Sequence, residues 1–256
     1  MATTNQAPYT PQSVLITGAT GDFGKAFAMR FAAAGSKLYL HGRTQAKVDD
    51  LCSQYPGSVG LVFDITDKEA MKEALSKLPA IDLLINNAGL ALGLDKAQNA
   101  NPDDWETMID VDCKALSLMT RAILPGMVEQ KRGHIINIGS TAGNYAYPGA
   151  NVYGAAKAFV KQFSLNLRAD LVGTNIRVTN IEPGQVETQF SNVRFKGDAE
   201  KAKAVYAGTN SLQAEDVAES VFWAATLPPH MNINRIELMP TSQSFAGLCV
   251  ERTTNG

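Results

Sequence analysis

Three residues of this chain have the types and the spacing to move a proton to and from an oxygen. Tyr153 and Lys157 stand four apart in Asn151-Val152-Tyr153-Gly154-Ala155-Ala156-Lys157, which puts them on one face of a helix, about one turn apart. A free tyrosine has a pKa of about 10, so proton transfer near pH 7 needs a shift of ~3 units, about 4 kcal/mol. An ammonium beside the phenol works in that direction, because opposite charge stabilises the phenolate. Ser140 is the third residue: its hydroxyl can hydrogen-bond a carbonyl oxygen while the tyrosine transfers its proton. Taken alone, Tyr-x-x-x-Lys is a weak motif, since an amphipathic pair that packs its stems and leaves its tips in water has the same spacing. Residues elsewhere in the chain give it weight.

These side chains need elements to hold them. Val152, Ala156, Phe159, Val160, Phe163, Leu167 and Leu171 recur at three- and four-residue steps, which predicts a helix from Tyr153 to Val172. Ser140 follows the apolar run 135–138, a buried strand and its exit. Further strands are predicted over 13–17, 37–41, 59–63, 82–86, 176–181 and 233–238. Helices fall between them: 25–34, stopped by Gly35; a helix capped by Thr44 and running to about 54; and one opened by the capping box Thr66-Asp67-Lys68-Glu69 and running to about 78. Asn101-Pro102 opens a long helical region to about 130, bent near Pro125, and another helix covers 215–225. Strands alternating with helices predict an α/β fold, a single Rossmann-type doubly wound parallel sheet of about seven strands with helices on both faces. One sheet accounts for the chain, so residues 1–12 read as a lead-in and 13–256 as a single domain. The polar stretch 185–212 reads as a lid over a site.

In such sheets ligands bind beyond the carboxyl ends of the strands. The unusual loops all follow strand ends, so they converge on one rim. Gly18, Gly21 and Gly24, with Thr20, Asp22 and Phe23 between them, join the first strand to the first helix. Glycines there permit a tight turn and close approach of a pyrophosphate to a helix N-terminus. The second strand exits at His41-Gly42-Arg43 with no acidic residue between Phe31 and Thr44 to hold ribose hydroxyls. Arg43 suits a 2′-phosphate instead, and predicts NADP over NAD; otherwise it is a surface arginine. Asp64 can accept from an adenine amine or only cap a turn. Asn87, in Asn86-Asn87-Ala88-Gly89, can bond a cofactor ribose or only close its strand with an Asx turn. Arg194 and Lys196 lie in the lid, where they either neutralise a substrate carboxylate or form a solvated face.

Composition narrows the classes. The chain has 256 residues, 45% of them hydrophobic, and a net charge of −2, which offers no electrostatic case for nucleic acid or an anionic membrane. Cys52, Cys113 and Cys249 are far apart and odd in number, which argues against a disulfide framework and for a reducing cytoplasm. The segment 1–12 has no apolar core of a signal peptide, and no run of ~18 apolar residues predicts a membrane span. His41, His134 and His230 are isolated, so no metal is expected.

Thr17 to Gly24, Asn86 to Gly89, Ser140, Tyr153, Lys157 and Pro183-Gly184, in this order, resemble the short-chain dehydrogenase/reductase family over essentially the full length. The segments 105–110, 134–143 and 190–198 resemble more closely its bacterial NADP-dependent 3-hydroxy acid dehydrogenases, which also oxidise L-allo-threonine and serine and reduce malonic semialdehyde. The resemblance implies that Tyr153 is the acid/base, that Lys157 lowers its pKa and holds the nicotinamide ribose, and that Ser140 binds the substrate oxygen. It adds Thr44, Ile65, Ala88, Gly89, Val186 and Thr188 to the cofactor contacts, with Pro183 and Gly184 beside the nicotinamide. Relatives are commonly homotetramers. Two positions depart from the family pattern. Asp22 puts a carboxylate near the pyrophosphate unless it points away. Asp112 replaces the asparagine that assists proton relay, and its main-chain carbonyl can still hold the relay water. The implied function is a cytoplasmic NADP(H)-dependent oxidoreductase of 3-hydroxy acids and 3-hydroxy amino acids. A ketoreductase for neutral carbonyl compounds and a catalytically silent NADP-binding regulator are the alternatives.

Overall fold

A computed structural model describes residues 9–245. Seven parallel strands lie in the order β3-β2-β1-β4-β5-β6-β7. They are β1 (Ser13–Ile16), β2 (Lys37–Gly42), β3 (Val59–Val62), β4 (Leu83–Asn86), β5 (Gly133–Ile138), β6 (Ile176–Pro183) and β7 (Arg235–Leu238). Helices α1 (Asp22–Ala33), α2 (Gln45–Ser53), α3 (Lys68–Ser76), α4 (Pro102–Ile109), α5 (Leu116–Glu129), α6 (Asn151–Asp170), α7 (Phe190–Arg194), α8 (Ala199–Ala204) and α9 (Ala214–Thr226) connect them. The strand order reverses between β1 and β4, which opens a crevice at their carboxyl ends.

Alternation along each strand builds two cores. Val14 and Ile16 of β1, Ile85 of β4 and Ile136 of β5 pack with Phe27 and Phe31 of α1 and Val217 and Val221 of α9. Leu15, Leu84 and Ile135 point the other way, onto Met71 and Leu75 of α3 and Met119, Ile123 and Met127 of α5. Successive strand residues point to opposite faces, so a fully buried strand reads as a continuous apolar run.

Polar groups within the second layer fix the position of α6. Asn86 and Asn137 are paired residues of β4 and β5. The Asn86 amide donates to Asn137 Oδ1 at 2.8 Å and to Thr120 Oγ1 of α5 at 2.9 Å. Asn137 in turn donates to Ser164 Oγ of α6 at 2.8 Å. Apolar contacts alone would let a helix slide over the sheet; directional bonds between buried groups do not. Sequence periodicity treats 135–138 as a plain apolar strand and does not show this chain of bonds.

Several boundaries differ from the sequence reading. The α3 cap is Asp67, whose carboxylate accepts the Glu69 and Ala70 N–H groups at 3.0 Å each, and not a Thr66 capping box. The Thr66 hydroxyl is taken by Asp64 at 2.7 Å. Thr44 stands at the N-cap of α2 but makes no side-chain cap bond. The long helical region is divided by a π-helical segment, Asp110–Ala115. Pro125 lies inside α5 on its exposed side, where water can take the carbonyl that proline leaves free. Residues 185–212 are not irregular throughout, because α7 and α8 lie within them.

Candidate active site

The loops at the carboxyl edge enclose one open cleft of about 350 Å³. Its walls include Gly18, Thr20, Gly21, Asp22, Phe23, Arg43, Asp64, Ile65, Asn87, Ala88 and Gly89 on one bank, with Ser140, Tyr153, Lys157, Pro183, Gly184, Val186 and Thr188 on the other. Gly24, Thr44, Asp112, Arg194 and Lys196 do not line it, although Arg194 packs directly against the Tyr153 ring that does.

The glycine turn divides its work. Gly18 has φ +62°, which an L side chain rarely adopts. A Cβ on Gly24 would lie 2.5 Å from Gly18 O and Ala19 Cα, so Gly24 lets α1 pack against its own entry turn. Gly21 differs: a Cβ there would meet only Gly18 O, at an ordinary 3.5 Å. The fold does not require that glycine, but the space before α1 does. Lys25 is the first α1 residue whose N–H finds a helical acceptor, Gly21 O at 2.9 Å. The N–H groups before it are the orphan donors of a helix start, a site for an anion. Gly24→Ala is expected to cost about 1–3 kcal/mol of stability through overpacking, whereas Gly21→Ala should leave the melting temperature nearly unchanged and weaken nucleotide binding. Thermal melts with and without NADPH check both.

His41, which the sequence leaves isolated, holds this turn. Its Nδ1 accepts the Gly18 N–H at 3.3 Å and its Nε2 donates to Phe63 O at 3.1 Å. Both bonds need the neutral ring, and burial lowers its pKa to about 4. Asn87 ties the same turn to β4, with its amide nitrogen on Thr17 O at 2.8 Å and Gly18 O at 3.1 Å. Asp64 caps a turn through Thr66 N at 2.9 Å and Thr66 Oγ1, which hold its carboxyl below the usual range. Arg43 is exposed at the exit of β2 and has no carboxylate within 4.0 Å among the described residues.

On the opposite bank, α6 and the turn after β5 come together closely. A Cβ on Gly143 would stand 2.7 Å from the Lys157 carbonyl carbon, so only glycine admits this approach. It brings Ser140 to Tyr153, both on the cleft wall. The Ser140 hydroxyl accepts the Ala142 N–H at 3.1 Å, which fixes its oxygen. Tyr153 and Lys157 are each 8% exposed. Lys157 Nζ donates to Ile138 O at 3.2 Å and lies 5.7 Å from the Tyr153 ring centroid. Burial raises the Tyr153 pKa above 10; Lys157 and Ser140 pull it down but do not overcome burial. Burial also disfavours the Lys157 ammonium, yet Asp112 and Tyr153 hold its pKa above the ordinary value. Lysine therefore acts on the phenol with the expected sign, and desolvation is the larger effect.

The lid separates its two cations. Lys196 pairs with Asp104 of α4 at 2.8 Å, and of the two roles the sequence offers this contact favours the solvated face of the lid. Arg194 turns inward: its guanidinium carbon is 5.2 Å from the Tyr153 ring centroid and 5.8 Å from those of Tyr147 and Phe190. Nη2 donates to Tyr147 Oη at 2.7 Å, while Nε is buried with no partner among the described residues. Asp22 also bonds the lid. Its carboxylate accepts the Gln189 N–H at 2.6 Å, so it spans the cleft instead of only crowding the glycine turn. Nothing local in the sequence marks Tyr147, Phe190 or Gln189 for these contacts, because only the fold brings them to Tyr153, Arg194 and Asp22.

Comparison with known proteins agrees with this geometry. The profile of the short chain dehydrogenase family matches residues 12–199. The NADP-dependent 3-hydroxy acid dehydrogenase of Salmonella typhi is 56% identical over 94% of this chain and 99% of its own length. The sulfoacetaldehyde reductase 2 of Chromohalobacter salexigens is 47% identical over 93% of this chain and 98% of its own. Among solved structures, the closed form of serine dehydrogenase complexed with NADP+ superposes with a TM-score of 0.92 at 54% identity, covering 94% of this chain and 100% of that one. With a family profile over most of its length and these relatives beside it, the chain belongs to the short-chain dehydrogenase/reductase family.

Proposed function

We propose that the protein is an NADP(H)-dependent oxidoreductase that interconverts 3-hydroxy acids or 3-hydroxy amino acids and their carbonyl forms. One observation carries the substrate class. The Arg194 guanidinium, its buried Nε without a partner among the described residues, lies 5.2 Å from the ring of Tyr153. A cation beside the proton-transfer group suits a substrate with an anion close to its reacting carbon. The serine and 3-hydroxy acid dehydrogenases among the relatives support that reading. A sulfonate would meet the same guanidinium, as the sulfoacetaldehyde reductase among them suggests.

The cleft fits a dinucleotide: the open space at Gly21 leads to the free N–H groups of α1, and the exposed Arg43 lines the same cleft, with a guanidinium suited to a 2′-phosphate. When bound, the nicotinamide supplies or accepts the hydride. The chain does the rest. Tyr153 takes the alcohol proton in oxidation and returns it in reduction. Ser140 holds the substrate oxygen, and Lys157 keeps a positive charge beside the phenol. Asn87 fixes the glycine turn, and Asp22 ties that turn to the lid at Gln189. We further propose one catalytic domain working as a cytoplasmic homotetramer; no helix among the described residues is long and apolar enough to cross a membrane.

Reduction of NADP+ by L-serine, L-allo-threonine and 3-hydroxypropionate tests the function directly. Turnover with at least one of them is expected, and none with any of the three overturns the proposal. Arg43→Ala should weaken apparent NADP(H) affinity by about 10–100-fold, the loss of a hydrogen-bonded charge pair, with little change for NAD(H). Equal losses for both nucleotides would show that Arg43 does not read the phosphate.

A further inference from the structure

The π-helical segment between α4 and α5 turns one side chain into the wall behind the cleft. Asp112 is 1% exposed. Its Oδ1 accepts the Leu90 N–H at 2.9 Å and stands 4.0 Å from Lys157 Nζ. Its Oδ2 is buried and has no hydrogen-bond partner among the described residues. Gly89 makes room for the pair: a Cβ there would sit 2.6 Å from Asp112 Oδ1 and 3.2 Å from Lys157 Nζ. Helices α4, α5 and α6 pack against this segment. From α6 it faces Lys157 and, beyond it, Tyr153; its own segment adds the half-buried Cys113 thiol. The charges of α4 and α5 point away: Asp103, Glu106, Arg121 and Glu129 are exposed, and Asp104 is tied to Lys196. Arg194, bonded to Tyr147, also lies against the Tyr153 ring.

We infer that the Asp112 carboxylate is a positioning residue that acts through Lys157 and sets the pH range in which Tyr153 transfers protons. In its ionised form the Asp112 carboxylate, 4.0 Å from Lys157 Nζ, cancels part of the field by which the ammonium favours the phenolate, and it opposes the phenolate directly. It also keeps Lys157 protonated at higher pH. Burial raises the Asp112 carboxyl, with Lys157 and the Leu90 N–H pulling it back. Asp112 acts on Tyr153 and on Lys157 in the upward direction. The carboxylate thus moves the working window toward alkaline pH. This inference rests on Tyr153 being the acid/base of the proposed function.

The test is the pH profile of kcat/KM for oxidation of a 3-hydroxy acid with NADP+ in wild type, Asp112→Asn, Asp112→Ala and Tyr153→Phe. Asparagine keeps the shape and the acceptor for Leu90 but not the charge. Its ascending limb should move acid-ward by about one unit, which reads as about a tenfold gain in kcat/KM below the midpoint. Asp112→Ala loses the same charge and should shift the limb the same way, so either variant decides if the other fails to fold. A lowered plateau with an unmoved limb, or an alkaline shift, overturns the inference. Should the limb stay put while Tyr153→Phe is inactive, only the role of Asp112 falls. Wild-type turnover by Tyr153→Phe removes the acid/base reading, and this inference with it.

Discussion

Replacing Tyr153 with phenylalanine should lower kcat for hydroxy acid oxidation by ~10²–10⁴-fold, the usual worth of a positioned acid/base, while NADPH still binds. The ring is buried and packs beside Phe190, with centroids 5.8 Å apart, so phenylalanine keeps the packing and loses only the hydroxyl. Folding should therefore be preserved, which a thermal melt confirms before kinetics are read. The same residue predicts a pH dependence. Oxidation needs the phenolate, and burial raises the phenol's pKa above 10 against the pull of Lys157. Oxidation should thus accelerate as pH rises through the neutral range, whereas reduction, which needs the protonated phenol, should persist at lower pH. Lys157 stays charged throughout, because Asp112 and Tyr153 hold its pKa above the ordinary value against the effect of burial. A Phe variant with near-wild-type kcat would remove Tyr153 from the reaction. An oxidation rate that falls from pH 6 to pH 9 would contradict the sign of the shift.

What the sequence shows of this protein is set by how local each signal is. The β1–α1 glycine spacing and the Tyr153–Lys157 step are written within a few residues, and the fold places both at the carboxyl edge of the sheet. Strand periodicity gives the parallel sheet for the same reason. Contacts between distant residues leave no such trace. Asp22 bonds Gln189 across 167 positions, and Asn86 reaches Asn137 across 51. His41 reads as an isolated histidine until Gly18 and Phe63 close around it. The π-helical turn at Asp112 is hidden too, because a single extra residue in a helix barely disturbs the apolar pattern on either side. Lys196 and Arg194, two apart in the sequence, diverge just past the end of α7, where Lys196 adopts φ +52°. Nothing local in an Arg-Phe-Lys run states which cation faces inward.

That divergence makes Arg194 the sharper test of substrate class. Arg194→Ala should lower kcat/KM for a 3-hydroxy acid by roughly 10²-fold or more, since removing one partner of a buried charge pair costs about 2–5 kcal/mol. The methyl ester of the same acid carries no charge and should lose far less. Two features of the site drive this difference. The guanidinium is held against Tyr147, Tyr153 and Phe190, an aromatic surround that offers it no counter-charge. Its Nε is buried without an acceptor among the described residues, and an unpaired polar group of that kind is costly unless a ligand completes it. A carboxylate arriving beside Tyr153 would supply that acceptor in a two-pronged geometry. Lys196→Ala is the control, because its ammonium is committed to Asp104 at 2.8 Å. It should affect acid and ester alike, through a looser lid, and by much less. Tyr147→Phe separates orientation from charge: it removes the bond to Nη2 and leaves the guanidinium in place, so the loss should be intermediate and confined to the acid. If acid and ester lose activity equally in Arg194→Ala, the anion is bound elsewhere, and the ketoreductase for neutral carbonyls becomes the better account of this cleft.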